Sequence, residues 1–120
     1  MANQVVWVDI PVLNLDRAMR FYSAVLGKPV QKQDFPGMSM ALLPDAGSDV
    51  SGCLFAREDE RPADRGPLVY LNADGRLDQA VAAVEANGGK VLQPKHQIGP
   101  HGFRAVIHDS EGNRIALHSK

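Results

Sequence analysis

Residues 15–30 read LDRAMRFYSAVLGKPV, and residues 77–92 read LDQAVAAVEANGGKVL. Laid over each other at an offset of 62 without a gap, they agree at six of sixteen positions: Leu15/Leu77, Asp16/Asp78, Ala18/Ala80, Ala24/Ala86, Gly27/Gly89 and Lys28/Lys90. Met19/Val81 and Val30/Leu92 are similar. Self-similarity at a fixed offset points to one supersecondary unit used twice. Each copy has the chemistry of a helix. Ala18, Met19, Tyr22, Val25 and Leu26 recur at helical spacing, as do Leu77, Val81 and Val84. Asn14 or Asp16 can accept from the first-turn amides of the first helix, and Asp78 from those of the second. Gly27 and the Gly88–Gly89 pair supply the left-handed residue that ends a helix.

The surroundings repeat as well. An alternating apolar run precedes each helix, VVWVDIPV in the first copy and PLVYLNA in the second. Strand-like stretches follow, MSMALLP and GCLFAR in the first half, FRAVIHD and RIALHS in the second. The clusters DAGSDVSG and DSEGN mark turns between them. Each half therefore reads β-α-β-β-β. The polar segment REDERPADRGP is the natural linker, so the chain divides into unit one (1–56), linker (57–67) and unit two (68–120) of a single domain. The expected class is α+β, with two such units forming curved mixed sheets around a cavity and the helices outside.

Composition removes several functions. The chain has 120 residues, a formal net charge of −1 and 44% apolar content, which suits a folded globular domain rather than a disordered chain. Basic residues are scattered, so nothing suggests nucleic acid or an anionic membrane as partner. No apolar run approaches membrane-spanning length, and the N-terminus lacks an export signal. The single cysteine, Cys53, cannot form an internal disulfide, and a cytoplasmic location is expected.

The paired units, with VLNLDRAMRFYSAVLG near the start and DSEGNRIALHS at the end, resemble the vicinal oxygen chelate superfamily of glyoxalases, bleomycin-resistance proteins and extradiol dioxygenases. Within it, the chain is similar to a small glyoxalase-like group that opens with a Trp-x-acidic-Ile-Pro-Val strand and carries segments like GGKV and IGPHGF. The resemblance implies a homodimer and a barrel-like cavity that holds a small organic molecule. In metal-using members, His, Gln or Glu ligands sit on the first and last strands of each unit. Those positions fall here on Trp7, Cys53, Leu68 and Ala116. One thiol does not make a site, and indole, isobutyl and methyl groups offer a cation nothing. The expectation is therefore no divalent metal and no other cofactor. The alternative is a metal-dependent lyase or dioxygenase using a substitute set such as Asp9, Cys53 and His118.

Strand alternation sorts the remaining candidates. Val6, Val8, Ile10 and Val12 share the face that packs under the helices, while Trp7 and Asp9 share the other. Ala116 and His118 pair likewise on the last strand, and Leu68 and Tyr70 on the first strand of unit two. Phe103, with His101, lies in a glycine-bearing loop that can fold over a cavity edge. The expected ligand pocket is thus Trp7, Asp9, Cys53, Leu68, Tyr70, Phe103, Ala116 and His118, with no catalytic residue assigned. Asp9 and His118 could act as base and orienting partner, or simply contact a ligand. His96, His101 and His108 lack the spacing of a metal site, and His108 reads as a turn residue. Met40 reads as core or pocket lining.

Overall fold

The computed structural model describes residues 3–35, 38–46 and 49–120, with the side chains of Phe35 and Met38 outside that description. The elements run β1 (Trp7–Pro11), α1 (Leu15–Leu26), β2 (Gln31–Phe35), β3 (Met38–Leu42), β4 (Ser51–Phe55), β5 (Val69–Asn72), α2 (Leu77–Ala86), β6 (Lys90–Gln97), β7 (Phe103–His108) and β8 (Arg114–Ser119). This is the β-α-β-β-β unit twice. Each unit builds one mixed four-stranded sheet, ordered β1-β4-β3-β2 and β5-β8-β7-β6. The first and last strands of each unit pair in parallel, and the remaining pairs are antiparallel. The sheets stay separate and do not close into a barrel.

The helices start and stop largely as their sequences dictate. Asn14, not Asp16, caps α1 by accepting from the Arg17 amide at 3.0 Å. Gly27 ends α1 in the left-handed region with φ of 75°. In α2 the cap position is Arg76, which makes no side-chain capping bond. Asp78 lies within the first turn and pairs with Lys95 at 3.2 Å.

The core lies between the helices and one face of each sheet. Leu15, Ala18, Phe21, Tyr22 and Val25 of α1 and Leu77, Ala80 and Val84 of α2 are buried against Ile10, Val12, Leu54, Ile107, Ile115 and Leu117. Val8 packs on this cluster as well, but Val6 precedes β1 and is exposed. The units meet through their helices, where the Arg76 guanidinium donates to the Val25 carbonyl at the end of α1.

The repeat is not quite uniform. Val12 donates to the Phe55 carbonyl, and Ala73 makes the same bond to His118. Strands β1 and β5 therefore correspond at an offset of 61, whereas the helices correspond at 62. The difference is one extra residue in the turn before α2, where Gly75 takes φ of 77°. In structural terms Asp9 corresponds to Tyr70, Cys53 to Ala116 and Phe55 to His118. Leu68, one residue before β5, corresponds to Trp7.

Candidate functional site

Residues paired across a ladder share a face. On the sheet face turned away from the helices, unit one carries Trp7 opposite Ser51, and Asp9 opposite Cys53. Unit two carries Tyr70 opposite Ala116, Asn72 opposite His118, and Arg104 opposite His118 from the other side. Six of the eight expected pocket residues thus fall on one kind of surface; Leu68 precedes β5 and is in no ladder. Phe103 is the exception among those in a ladder. It aligns with Ala105 and Ile107 on the opposite side of β7 and packs against the core, with Lys95 above its ring at 5.2 Å. The adjoining His101 approaches the site only through its carbonyl, 2.7 Å from His118 Nε2.

In unit one the polar groups converge on one atom. Asp9 Oδ1 accepts from the indole Nε1 of Trp7 at 2.9 Å and from the thiol of Cys53 at 3.2 Å. Cys53 is buried, and burial together with the Asp9 carboxylate pushes its thiol up to about 11. It is a protonated hydrogen-bond donor, not a nucleophile. An aspartate on an apolar strand needs partners or water, and this one has both, since its side chain is still exposed.

In unit two the side chains gather around Tyr70. Its hydroxyl accepts from Arg104 Nη1 at 2.6 Å, its ring meets that of His118 edge-on at 6.2 Å between centroids, and the Arg104 guanidinium lies 5.9 Å from the ring centre. Arg104 Nε donates in turn to His96 Nε2 at 3.0 Å. Neither Arg104 nor His96 was singled out from sequence as part of this face. Alternation along FRAVIH would have placed Arg104 beside His118.

A cleft of about 790 Å³ opens between the two units, along the outer edges of β1 and β5. Trp7, Leu68 and Tyr70 line it, together with Val5, Val50 and Leu71. Asp9, Cys53, Ala116 and His118 do not line it and lie on the adjoining sheet faces. Trp7 and Tyr70 are respectively 38% and 47% exposed, so two aromatic side chains stand open where the cleft meets those faces. Lys28 and Asp45 pair on the rim at 3.2 Å.

A second polar centre ties the two units together. The turn between β7 and β8 holds Asp109, Glu111 and Asn113, all buried. Glu111 Oε1 accepts from the amides of Leu13 and Asn14 at 2.9 and 2.8 Å, which satisfies the start of α1 from the opposite unit. Arg17 adds two bonds to the same carboxylate, at 2.7 and 2.8 Å. Burial alone would raise this carboxyl, but the bonds from Arg17, Ser110 and the two amides outweigh it and bring it to about 2. Tyr22 donates to Asp109 at 2.5 Å, and Asn113 donates to the Pro11 carbonyl at 2.8 Å. His108, at the end of β7, lies 3.8 Å from Asp64 of the linker.

The four positions at which the superfamily's metal ligands are expected do not fit a divalent cation. Cys53 is a protonated thiol already committed to Asp9, and Trp7, Leu68 and Ala116 have no donor for a metal. Of the substitute set, Asp9 and Cys53 touch, but His118 belongs to the other unit's cluster. Among the described residues, no group of three or more His, Cys, Asp or Glu side chains could hold a metal ion. Among them, too, no helix is long and apolar enough to cross a membrane.

Comparison with known proteins agrees with this architecture. The chain is 31% identical over 126 residues to a glyoxylase-like domain-containing protein of Didymella fabae, covering 95% of this chain and 91% of that one. A glyoxalase/bleomycin resistance protein/dioxygenase family enzyme from Burkholderia phytofirmans PsJN superposes with a TM-score of 0.71 at 19% identity, over 98% of both chains. A V278E mutant of glyoxalase I from Zea mays superposes with a TM-score of 0.73 at 20% identity, over 94% of this chain but 44% of the maize one. At such identities these two structures establish the fold alone. The sequence profile of one family matches residues 4–117, nearly the whole chain. The protein belongs to the Glyoxalase/Bleomycin resistance protein/Dioxygenase superfamily.

Proposed function

We propose that this protein binds a small, flat organic molecule where the cleft between β1 and β5 meets the adjoining sheet faces, and does so without a divalent metal. The observation that carries the reading is Trp7. It stands where the resemblance to the superfamily would put the first metal ligand, its indole is tied to Asp9, and its ring stands half-open on the cleft wall. An indole held in one orientation offers a broad apolar contact at little entropic cost, and Tyr70 and Leu68 extend that surface from the second unit. Neither half of the site is complete alone, which suits a ligand lying across both units or a second copy of the chain covering the exposed faces.

Trp7 is the sole tryptophan, so its emission reports on the site directly. Titration with the neutral dye N-phenyl-1-naphthylamine is expected to quench Trp7 saturably and to enhance the dye. A Trp7→Ala variant with an unchanged circular dichroism spectrum should bind the dye about tenfold more weakly, on the scale of one aromatic contact. Equal affinity of both proteins, or no binding by either, contradicts the proposal.

A further inference from the structure

Arg104 is a cation held entirely by neutral groups. Among the described residues its partners are the Tyr70 hydroxyl at 2.6 Å, His96 Nε2 at 3.0 Å and the Tyr70 ring, and no carboxylate pairs with it. Two other half-buried guanidinium groups, Arg76 and Arg114, also donate to neutral groups, the backbone carbonyls of Val25 and Gly66, whereas other charges are paired or hydrogen-bonded in other ways. Arg17 has Glu111, and the exposed Asp74 accepts from the Ser119 hydroxyl and the Lys120 amide. The guanidinium also sits on a half-buried strand rather than at the end of a mobile loop.

The neighbours of Arg104 orient it and leave donors free. His96 Nε2 accepts from Arg104 Nε, so the imidazole proton resides on Nδ1, which faces the Pro94 carbonyl at 2.9 Å. The imidazole is thereby spent on positioning. Two of the five guanidinium N–H groups are used, one on His96 and one on Tyr70. Three remain. The Tyr70 oxygen accepts from Arg104, which leaves its own O–H free to donate. Three guanidinium N–H groups and a phenol O–H thus stand together on one sheet face with no anion among them.

We infer that Arg104 and Tyr70 form a subsite for a single carboxylate, and that the ligand of the neighbouring cleft is a small organic acid. Tyr70 belongs to both places, lining the cleft and holding the guanidinium. A planar carboxylate matches the fork of an oriented guanidinium, and its negative charge balances that of Arg104, which pairs with no carboxylate among the described residues. His96 is a positioning residue that touches no ligand. The inference rests on the proposed pocket, since the acid's carbon skeleton would lie along the cleft wall.

The test compares 2-naphthoate with 2-naphthamide, which differ little in shape but by one charge, using calorimetric titration of the whole protein. Wild type should bind the acid about tenfold or more tightly than the amide, the scale of one charge-assisted bidentate pair. Arg104→Gln should abolish that preference while leaving amide binding within about twofold. Should Arg104→Gln fail to fold, Tyr70→Phe keeps the guanidinium and removes the phenol, and is expected to reduce the preference for the acid about threefold to tenfold. Amide binding with no preference for the acid, or a preference unchanged in these variants, overturns the carboxylate subsite and leaves the pocket standing. Binding of neither compound at millimolar concentration overturns both.

Discussion

The carboxylate of Glu111 takes Arg17 in two hydrogen bonds, at 2.7 and 2.8 Å, across 94 residues of sequence. The same carboxylate caps the backbone at Leu13 and Asn14, so one side chain of unit two holds the turn between β1 and α1 and the start of the helix. Substituting it removes a buried acceptor from two amides and one guanidinium at once. Glu111→Ala should lower the free energy of unfolding by about 2–4 kcal/mol in urea denaturation, within the cost of leaving such groups unpaired. Arg17 is partly exposed, and Arg17→Ala should cost less, about 1 kcal/mol.

The depressed Glu111 carboxyl also predicts a direction in pH. Its folded value of about 2 lies below the ordinary 4.5, so its contribution is fully present above that ordinary value and is lost as pH falls toward 2. Stability measured from pH 6 downward should decline in the window from about 5 to 2, with about 3 kcal/mol of the loss belonging to this group. Glu111→Gln should remove that portion of the pH dependence.

Cys53 should be a slow thiol. Burial, reinforced by Asp9, holds it protonated up to about 11, so Ellman's reagent should react with the native protein far more slowly than with the unfolded chain at pH 8. Asp9→Asn removes the carboxylate's charge and should bring the thiolate titration, followed by ultraviolet absorbance, part of the way down. An unmoved titration would mean that the Asp9 contact is absent in solution.

Gly27 combines a left-handed backbone with a crowded neighbour. A Cβ built there would sit 2.7 Å from the guanidinium carbon of Arg76, which itself donates to Val25. Gly27→Ala should therefore destabilise by about 1–3 kcal/mol, the cost of the left-handed conformation plus displacement of Arg76. The midpoint of thermal unfolding would report it. Ala at Gly66, where a Cβ meets nothing, carries the conformational penalty alone.

Much of this architecture is legible in the sequence because the repeat and the apolar alternation agree. The helices, the faces of β1 and β8, and the αL residue at Gly27 all follow from local pattern. What escapes it depends on distant partners. Strand β2, QKQDF, carries almost no apolar signal and forms because β3 offers it an antiparallel ladder. DSEGN reads locally as a turn, and nothing local reveals that Glu111 and Asn113 reach the first unit. The α+β class and the paired β-α-β-β-β units follow the expectation; what the sequence leaves open is that the two mixed sheets stay unclosed, with a cleft between their edges. Of the candidate side chains, alternation puts Trp7 and Asp9 on one face and the family resemblance adds Cys53, whereas Phe103, expected in a loop over the cavity edge, continues the core face of β7. Arg104 was hidden in an otherwise apolar strand, although the same period-two rule puts it beside His118.

The proposed function rests most heavily on a site that works without a divalent metal, built around an indole tied to Asp9. The most direct test is the metal content of untagged protein purified without chelators, before and after incubation with nickel, zinc, manganese and iron. The account predicts a content near zero per chain, unchanged by incubation. Close to one tightly held metal per chain, lost in Cys53→Ala or Asp9→Ala, would contradict it and assign those side chains to a metal centre.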